Sequence, residues 1–364
     1  GQSEQQRYTD IYKAINRTGR TDVRYNICRW QFPGTWATRL ASSWRIHTDI
    51  NPRFKTIDQI IEKNLYLSPY VSLGHYNDMD MLEVGRGLSE DEEKTHFGIW
   101  AIMSSPLMIG CDLRTIPEKT LSIITNQEVI ALNQDSLGMQ AEVIERGKDY
   151  LILSKTIQKR EGKLRAVALY NRSNVIKKIR VDFDKLYLSG KVQVRDLWNH
   201  QETGTFTEYY ETLVPAHGTA LIKLEGSKRH DRICYEAEYA FMQEYLPDNK
   251  QMAHFAYKAG ASGDYIMKKL GNSPSNWAEF RKVYVSKGGE YQLKITYFSG
   301  DKRDIQIAVN ESEYKQSGLC SGAWDQAAIT TVKVKLHKGY NTIRLYNSNG
   351  WAPDIDKMEI SKSR

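Results

Sequence analysis

The hydrophobic pattern changes its period once along this chain, and that change limits the folds open to it. Up to about residue 137, short β-prone apolar runs alternate with helical patterns; beyond that point only strand-like runs remain. A β-α alternation builds a parallel sheet under helical cover, whereas short strands at regular spacing build antiparallel sandwiches. A chain of 364 residues therefore has to hold two or three domains, of different class.

In the first region the pattern predicts strands at 23–27, 42–49, 70–75 and 106–110, and helices at 35–40, 56–64 and 121–132. Ser89, followed by Glu90-Asp91-Glu92-Glu93, opens a further helix with a hydroxyl cap and an acidic first turn. That helix continues through Met103 and stops before Pro106. Four such βα units amount to half of a (β/α)8-barrel. Between 141 and 224, runs such as Tyr150-Leu151-Ile152-Leu153 and Arg165-Ala166-Val167-Ala168-Leu169-Tyr170 predict an antiparallel β-sandwich. Gly226-Ser227-Lys228-Arg229-His230 reads as a polar linker, and 235–360 is long enough for a second, self-contained β-sandwich. The fold class is α/β followed by all-β, with domains expected at 1–138, 139–226 and 232–364.

Composition excludes several functions. The net charge of +7 comes from 51 basic against 44 acidic residues, dispersed in pairs such as Lys159-Arg160 and unaccompanied by a nucleic-acid reader motif, so no nucleic-acid partner is expected. No apolar run reaches the ~18 residues of a membrane span. Gly1 to Arg7 is polar and does not read as a signal peptide. No Gly-rich nucleotide loop is present. Cys28, Cys111, Cys234 and Cys320 lack the close spacing of a zinc site; Cys234 and Cys320 either pair or stand as two separate thiols.

Polar clusters sit at the ends of the strand-like runs, where parallel α/β barrels carry their chemistry. These are Trp44-Arg45 with Asp49 four residues on, then Asn77-Asp78-Met79-Asp80-Met81. Further along come Trp100-Ala101-Ile102-Met103-Ser104-Ser105-Pro106-Leu107 and Val129-Ile130-Ala131-Leu132-Asn133-Gln134-Asp135 with Leu137-Gly138. Taken singly, Asp49 would be a loop carboxylate, Arg45 a structural cation, the Asn-Asp run a turn, and Trp100 and Met103 core. As an ordered set they resemble the retaining α-galactosidases of glycoside hydrolase family 27, over roughly residues 8–225.

The resemblance implies a retaining exo-glycosidase acting on terminal α-galactosyl or related residues, with no cofactor for catalysis. Two carboxylates about 5–5.5 Å apart would then serve as nucleophile and acid/base. Asp49 occupies the acid/base position, whose chemistry calls for a partly dry site beside a second carboxylate. Arg45, Asp80 and Met81 occupy sugar-lining positions, as do Cys28, Arg29 and Trp30. Typical members carry Cys-Glu-Trp where this chain has Cys28-Arg29-Trp30. A cation there changes which sugar substituent fits, and leaves a β-L-arabinopyranoside or an acidic glycan open as substrate. Met79 also stands where many members have Pro.

The family's nucleophile lies on a Tyr-x-Lys-x-Asp strand that this sequence does not contain. The expectation is a partner N-terminal barrel half, from the same gene product or a separate chain, because an isolated half-barrel would expose two strand edges. Without that half, the chain would be inert and bind carbohydrate only.

The last domain, through Tyr235-Glu236-Ala237-Glu238 and Gly350-Trp351-Ala352-Pro353-Asp354-Ile355-Asp356, resembles jelly-roll-like carbohydrate-binding modules of families 6 and 35. Glu236 and Glu238, read as two apart on one strand, would face the same side, with Asp356 as third oxygen donor to a structural calcium. Asn349, Trp351 and Tyr265 are the expected sugar contacts, with Trp277 and Trp324 as further candidates. The expected substrate is a galactosyl-containing oligo- or polysaccharide. The location implied by analogy is extracellular or periplasmic.

Overall fold

The computed structural model describes residues 2–363. It divides into two units: residues 1–33 with 37–230, and residues 34–36 with 231–364. The first two expected domains thus fall within one unit.

The first unit begins with α1 (Glu4–Arg17), none of whose residues is buried. Then β1 (Asn26–Ile27), β2 (Ser43–Arg45) and β3 (Tyr76–Asp78) form a three-stranded sheet in that order. Both pairings are parallel, with Ile27 opposite Trp44 and Trp44 opposite Asn77. α2 (Phe54–Asn64) buries Ile57, Ile60, Ile61 and Asn64, the i, i+3, i+4, i+7 stripe of a helix laid on a core. Each buried isoleucine contributes roughly 1.5–3 kcal/mol.

α3 (Glu90–Ile102) starts as its sequence predicts. The Ser89 hydroxyl accepts from the Glu92 N–H, and the Glu92 carboxylate reaches back to the Ser89 N–H.

Three local expectations are corrected. Residues 70–75 are not a strand: Ser68–Tyr70 is a 3₁₀ turn and β3 starts at Tyr76, because Ser72 and His75 close a tight turn on each other. Residues 106–110 contribute only one parallel bridge, Ile109 to Leu82. The single helix expected at 121–132 is two, α4 (Glu118–Ile124) and α5 (Gln127–Asn133). Asn126 divides them by capping α5, its side chain accepting from the Glu128 and Val129 N–H groups. Among the described residues no closed barrel forms; the parallel sheet is open.

The rest of the unit is antiparallel. Its strands are β4 (Glu142–Arg146), β5 (Tyr150–Thr156), β6 (Leu164–Asn171), β7 (Lys177–Asp182), β8 (Leu188–Asp196), β9 (Gln201–Phe206), β10 (Tyr209–Val214) and β11 (Thr219–Arg229). Six of them pair in the order β4-β5-β6-β11-β8-β9, and β7 pairs β10. Their inward side chains, among them Val167, Leu169, Val181, Val194 and Leu224, make one apolar core. The expected linker at 226–230 is mostly strand: β11 passes through a bulge between Gly226 and Lys228 and keeps its pairing with β8 to Arg229.

Buried and half-buried polar bonds tie this sandwich to the α/β part. Arg172 holds Asp58 at 2.8 Å and Glu62 at 3.1 Å, both on α2. Lys155 is 3 % exposed and donates to Ser104 Oγ, Leu132 O and Met139 O at 2.8, 2.7 and 3.0 Å. Gly138 permits a close approach: a Cβ there would lie 2.6 Å from the Leu73 Cα.

The second unit contains β12 (Cys234–Glu236), β13 (Phe241–Met242), β14 (His254–Tyr257), β15 (Tyr265–Lys268), β16 (Ala278–Val285) and β17 (Gly289–Phe298). It continues with β18 (Arg303–Val309), β19 (Ser312–Leu319), β20 (Ala327–Leu336), β21 (Gly339–Tyr346) and β22 (Asp354–Lys362). One sheet runs β14-β15-β22-β17-β20, with β12 also on β22; the other runs β13-β16-β21-β18-β19. β20 alternates exposed and buried side chains, as a strand with one wet face must. All four cysteines are free thiols, so Cys234 and Cys320 do not pair.

Candidate active site

Parallel pairing of β2 with β3 brings the two polar clusters side by side at the same strand ends: Arg45 is the register partner of Asp78. Arg45 is nearly buried, its side chain 11 % exposed. Its Nη2 bonds Asp80 Oδ2 at 2.6 Å, Asp49 Oδ1 at 3.1 Å and the His47 carbonyl at 3.3 Å. One guanidinium therefore joins Asp49 and Asp80, 31 residues apart in sequence.

Asp80 is held on every side. Its Oδ2 also accepts from the Ile50 N–H at 2.8 Å, and its Oδ1 from the Met81 N–H at 2.8 Å. Its backbone has φ 77°, a left-handed conformation that Asp tolerates better than most residues but still at a cost of about 1–2 kcal/mol. Asp78 supports the turn: Oδ1 accepts from the Asp80 N–H at 2.9 Å, and Oδ2 from Asn26 Nδ2 at 2.7 Å. Burial pushes the Asp78 carboxyl above the usual carboxylate range, against the lowering effect of those two bonds and of Arg45. Asn77 is fully buried and structural, accepting from Trp44 Nε1 and donating to Leu67 O and Gln140 Oε1.

Asp49 differs. Its side chain is 67 % exposed and its charged neighbour is the Arg45 cation. A second carboxylate, Asp80, shares its cation, but the dry setting expected for Asp49 is not built by the described residues.

Of the other expected contacts, Met81 is half-buried next to Asp80, while Cys28 and Trp30 are exposed. Trp30 is left-handed at φ 64°, and the Tyr8 hydroxyl donates to the Cys28 carbonyl at 3.3 Å. Arg29 makes an ion pair with Glu4 on α1, Nε to Oε2 2.6 Å, so its cation is already balanced. Nothing in the sequence singled out Glu4 or Asn26; both come from segments remote from the motifs they support.

In the second unit the acidic cluster is only partly as expected. Glu236 ends β12, but Glu238 lies in the 3₁₀ turn Ala237–Tyr239, so the two are not on one strand face. The chain leaves the pairing with β22 at Glu236. Even so, all three carboxylates surround one turn. Ser262 Oγ donates to Glu236 Oε1 at 2.8 Å, and the Ser262 N–H to Asp356 Oδ1 at 2.9 Å. Glu238 Oε1 would lie 3.0 Å from a Cβ on Gly263. Glu236 Oε2 is buried without a hydrogen-bond partner. Burial, with the charge of Glu236 adding to it, pushes Asp356 up to about 6. Among the described residues, no three such side chains are close enough as placed to hold a metal ion.

Trp351 is half-exposed, with Lys269 Nζ 4.8 Å from its ring centre, and Asn349 is exposed in the same loop. Trp324, 43 % exposed, lies under Arg303, which also bonds the Ala352 carbonyl. Tyr265 packs edge-on against Phe255 and Tyr257. Trp277 lies under Arg344.

Residues 1–135 match the family described as alpha galactosidase A, and residues 148–224 the alpha galactosidase C-terminal beta sandwich domain. This part of the chain belongs to glycoside hydrolase family 27. Alpha-galactosidase 2 of Arabidopsis thaliana is 34 % identical over 233 residues, covering 63 % of this chain and 58 % of that protein. The crystal structure of α-galactosidase I from Mortierella vinacea superimposes with a TM-score of 0.58 at 30 % identity, over 62 % of this chain and 64 % of that one. A family 27 β-L-arabinopyranosidase from Geobacillus stearothermophilus gives 0.57 at 26 % identity, over 62 % and 55 %. The chain spans about half the length of the curated relatives it matches, 58 %, 50 % and 48 % of the first three. No helix among the described residues is long and apolar enough to cross a membrane.

Proposed function

We propose that this family 27 chain is the strand-end, acid/base-bearing part of a retaining exo-glycosidase that removes terminal α-galactosyl residues from glycans. The observation that carries the reading is the Arg45 bridge between Asp49 and Asp80 at the ends of parallel strands, within the region that matches α-galactosidases.

Asp49 is the acid/base. It is the carboxylate of the pair still open to solvent, and so able to give a proton to a leaving oxygen and later take one from water. Asp80 is an anchor: Arg45 and the N–H groups of Ile50 and Met81 already occupy its oxygens. It accepts a sugar hydroxyl as one further donor. Arg45 and Met81 line the same position, and Cys28, Arg29 and Trp30 border it. The nucleophile would come from a strand completing the sheet beyond β1, which ends it. That would make β1–β3 part of the second half of a (β/α)8-barrel, closed by a partner N-terminal half. The solved β-L-arabinopyranosidase supports a second reading, a pentopyranoside substrate at the same site.

Residues 231–364 are proposed to be a carbohydrate-binding module using Asn349 and Trp351, with Tyr265 as a further sugar contact. The buried, unpartnered Glu236 Oε2 suits a hard cation, and Glu236, Glu238 and Asp356 would hold calcium there after small side-chain adjustments. Its charge would satisfy three carboxylates that otherwise repel. Catalysis itself uses no cofactor in this reading. In this reading a glycan substrate and a calcium site would suit a protein outside the cell or in the periplasm.

The test is turnover of nitrophenyl α-galactoside and nitrophenyl β-L-arabinopyranoside by the chain, beside Asp49→Asn. Turnover by the parent that drops at least 100-fold in Asp49→Asn is expected once a nucleophile-bearing half is supplied. Equal rates in parent and variant would remove Asp49 from the mechanism.

A further inference from the structure

We infer that one face of α3 sets the left-handed turn at Asp80, and that Trp100 is a positioning residue for the Arg45–Asp80 lock. The sequence assigns Trp100 to the core, and it is indeed fully buried. Its indole N–H, however, donates to the Asp80 carbonyl at 2.8 Å.

The segment 79–85 has little regular structure, yet Met79, Leu82, Glu83 and Val84 are all buried. Its backbone groups must find partners with a single bridge, Leu82 to residues 108–110, in place of a ladder, and α3 and its C-terminal turn supply several of the others. Ser105 Oγ accepts from the Met79 N–H at 2.9 Å, His96 Nε2 from the Glu83 N–H at 2.9 Å, and Glu93 Oε1 from the Gly85 N–H at 2.7 Å. Glu93, His96 and Trp100 stand at i, i+3 and i+7, one side of a helix. His96 and Trp100 also meet edge to face, ring centres 4.1 Å apart. Burial drives the His96 imidazole down to about 3, so it stays neutral and keeps Nε2 as an acceptor.

Trp100 is the member of this face that touches Asp80 itself. Its bond satisfies a carbonyl that the φ 77° backbone turns into the interior. Without it the turn can relax, and the carboxylate leaves Arg45 and the Ile50 N–H. Trp100 would thus act on the sugar site through Asp80, with no contact to substrate. This last step rests on the glycosidase reading; the structural coupling does not.

The test is a double-mutant cycle on the full chain. Trp100→Phe keeps a large ring and removes the donor; Asp80→Gly removes the strain of the left-handed backbone. Urea unfolding of the first unit is followed by far-ultraviolet circular dichroism. The loss of midpoint caused by Trp100→Phe should be at least halved in the Asp80→Gly background. An equal loss in both backgrounds makes Trp100 a core residue only and overturns the inference. If Trp100→Phe does not fold, hydrogen exchange of the Trp100 indole decides: it should be at least ten-fold faster in Asp80→Gly than in the parent, and unchanged exchange overturns the inference. With a turning-over enzyme, Trp100→Phe should raise KM about ten-fold with kcat within about two-fold. A parent that stays without turnover after a nucleophile-bearing half is supplied counts against the glycosidase reading, while the cycle still judges the coupling.

Discussion

Two acidic clusters, one in each unit, solve the same electrostatic problem differently. At the strand ends of the first unit, Asp49 and Asp80 share the Arg45 guanidinium, a counter-charge carried by the chain itself. In the second unit, Glu236 accepts from the Ser262 hydroxyl and the Cys234 thiol, Asp356 from the Ser262 N–H, and the second oxygen of Glu236 is buried without a hydrogen-bond partner. A site with a built-in cation is organised at once. A site without one keeps like charges that repel and lose hydration, and this is the ground on which a cation is proposed for it. Lys155 is the mirror case, a buried cation whose contacts are a hydroxyl and two carbonyls.

This contrast can be broken at several points. The largest effect is expected at Lys155, whose ammonium burial lowers from 10.5 to about 7. Between those two values the unfolded chain binds the proton that the folded chain has released. Stability contributed by this group should therefore rise with pH across that window, by several kcal/mol at most, and be flat below about 7. Urea unfolding from pH 6.5 to 10 should show the rise in the parent and not in Lys155→Met. An identical slope in both proteins would show that the ammonium is not strained.

Arg45→Met comes next. It leaves Asp80 nearly buried without its cation and should lower stability by about 3 kcal/mol in equilibrium unfolding. A loss under 1 kcal/mol would mean that the N–H groups of Ile50 and Met81 suffice. Calcium should raise the melting temperature of the second unit, with about 2.7 kcal/mol at 100 times its Kd. Glu236→Gln should abolish most of that gain; a gain of the same size in the variant would place the ion elsewhere. The smallest effect is Asp49→Asn, expected to change stability by less than about 1 kcal/mol because its pair is exposed. Full stability beside lost turnover would separate Asp49 from Asp80 as actor from anchor.

The helix opening at Ser89 was legible because capping is local chemistry, and so were the parallel order of the early strands and the two later β blocks. The strand expected at 70–75 was misplaced because β-prone residues there turn back on themselves before pairing begins at Tyr76. The apolar run 121–132 concealed the Asn126 cap, since periodicity alone reads through a short break. At the site, Arg45, Asp49 and Asp80 were found by their spacing and family pattern. The supporting contacts of Trp100 to Asp80, Asn26 to Asp78, Ser105 to Met79 and Glu4 to Arg29 were not, because each comes from a segment with its own local reason to exist.

What the sequence determined by itself is the kind of element at most places and which carboxylates are candidates for acid–base work, since propensity, capping and side-chain chemistry are properties of a few neighbouring residues. Only the tertiary structure decided which carboxylate is exposed and which is gripped. Register between β2 and β3 brings Arg45 to Asp80, and the face of α3 meets the Asp80 carbonyl. Burial and charge pairing depend on groups far apart along the chain, and they exist only once those groups are packed together.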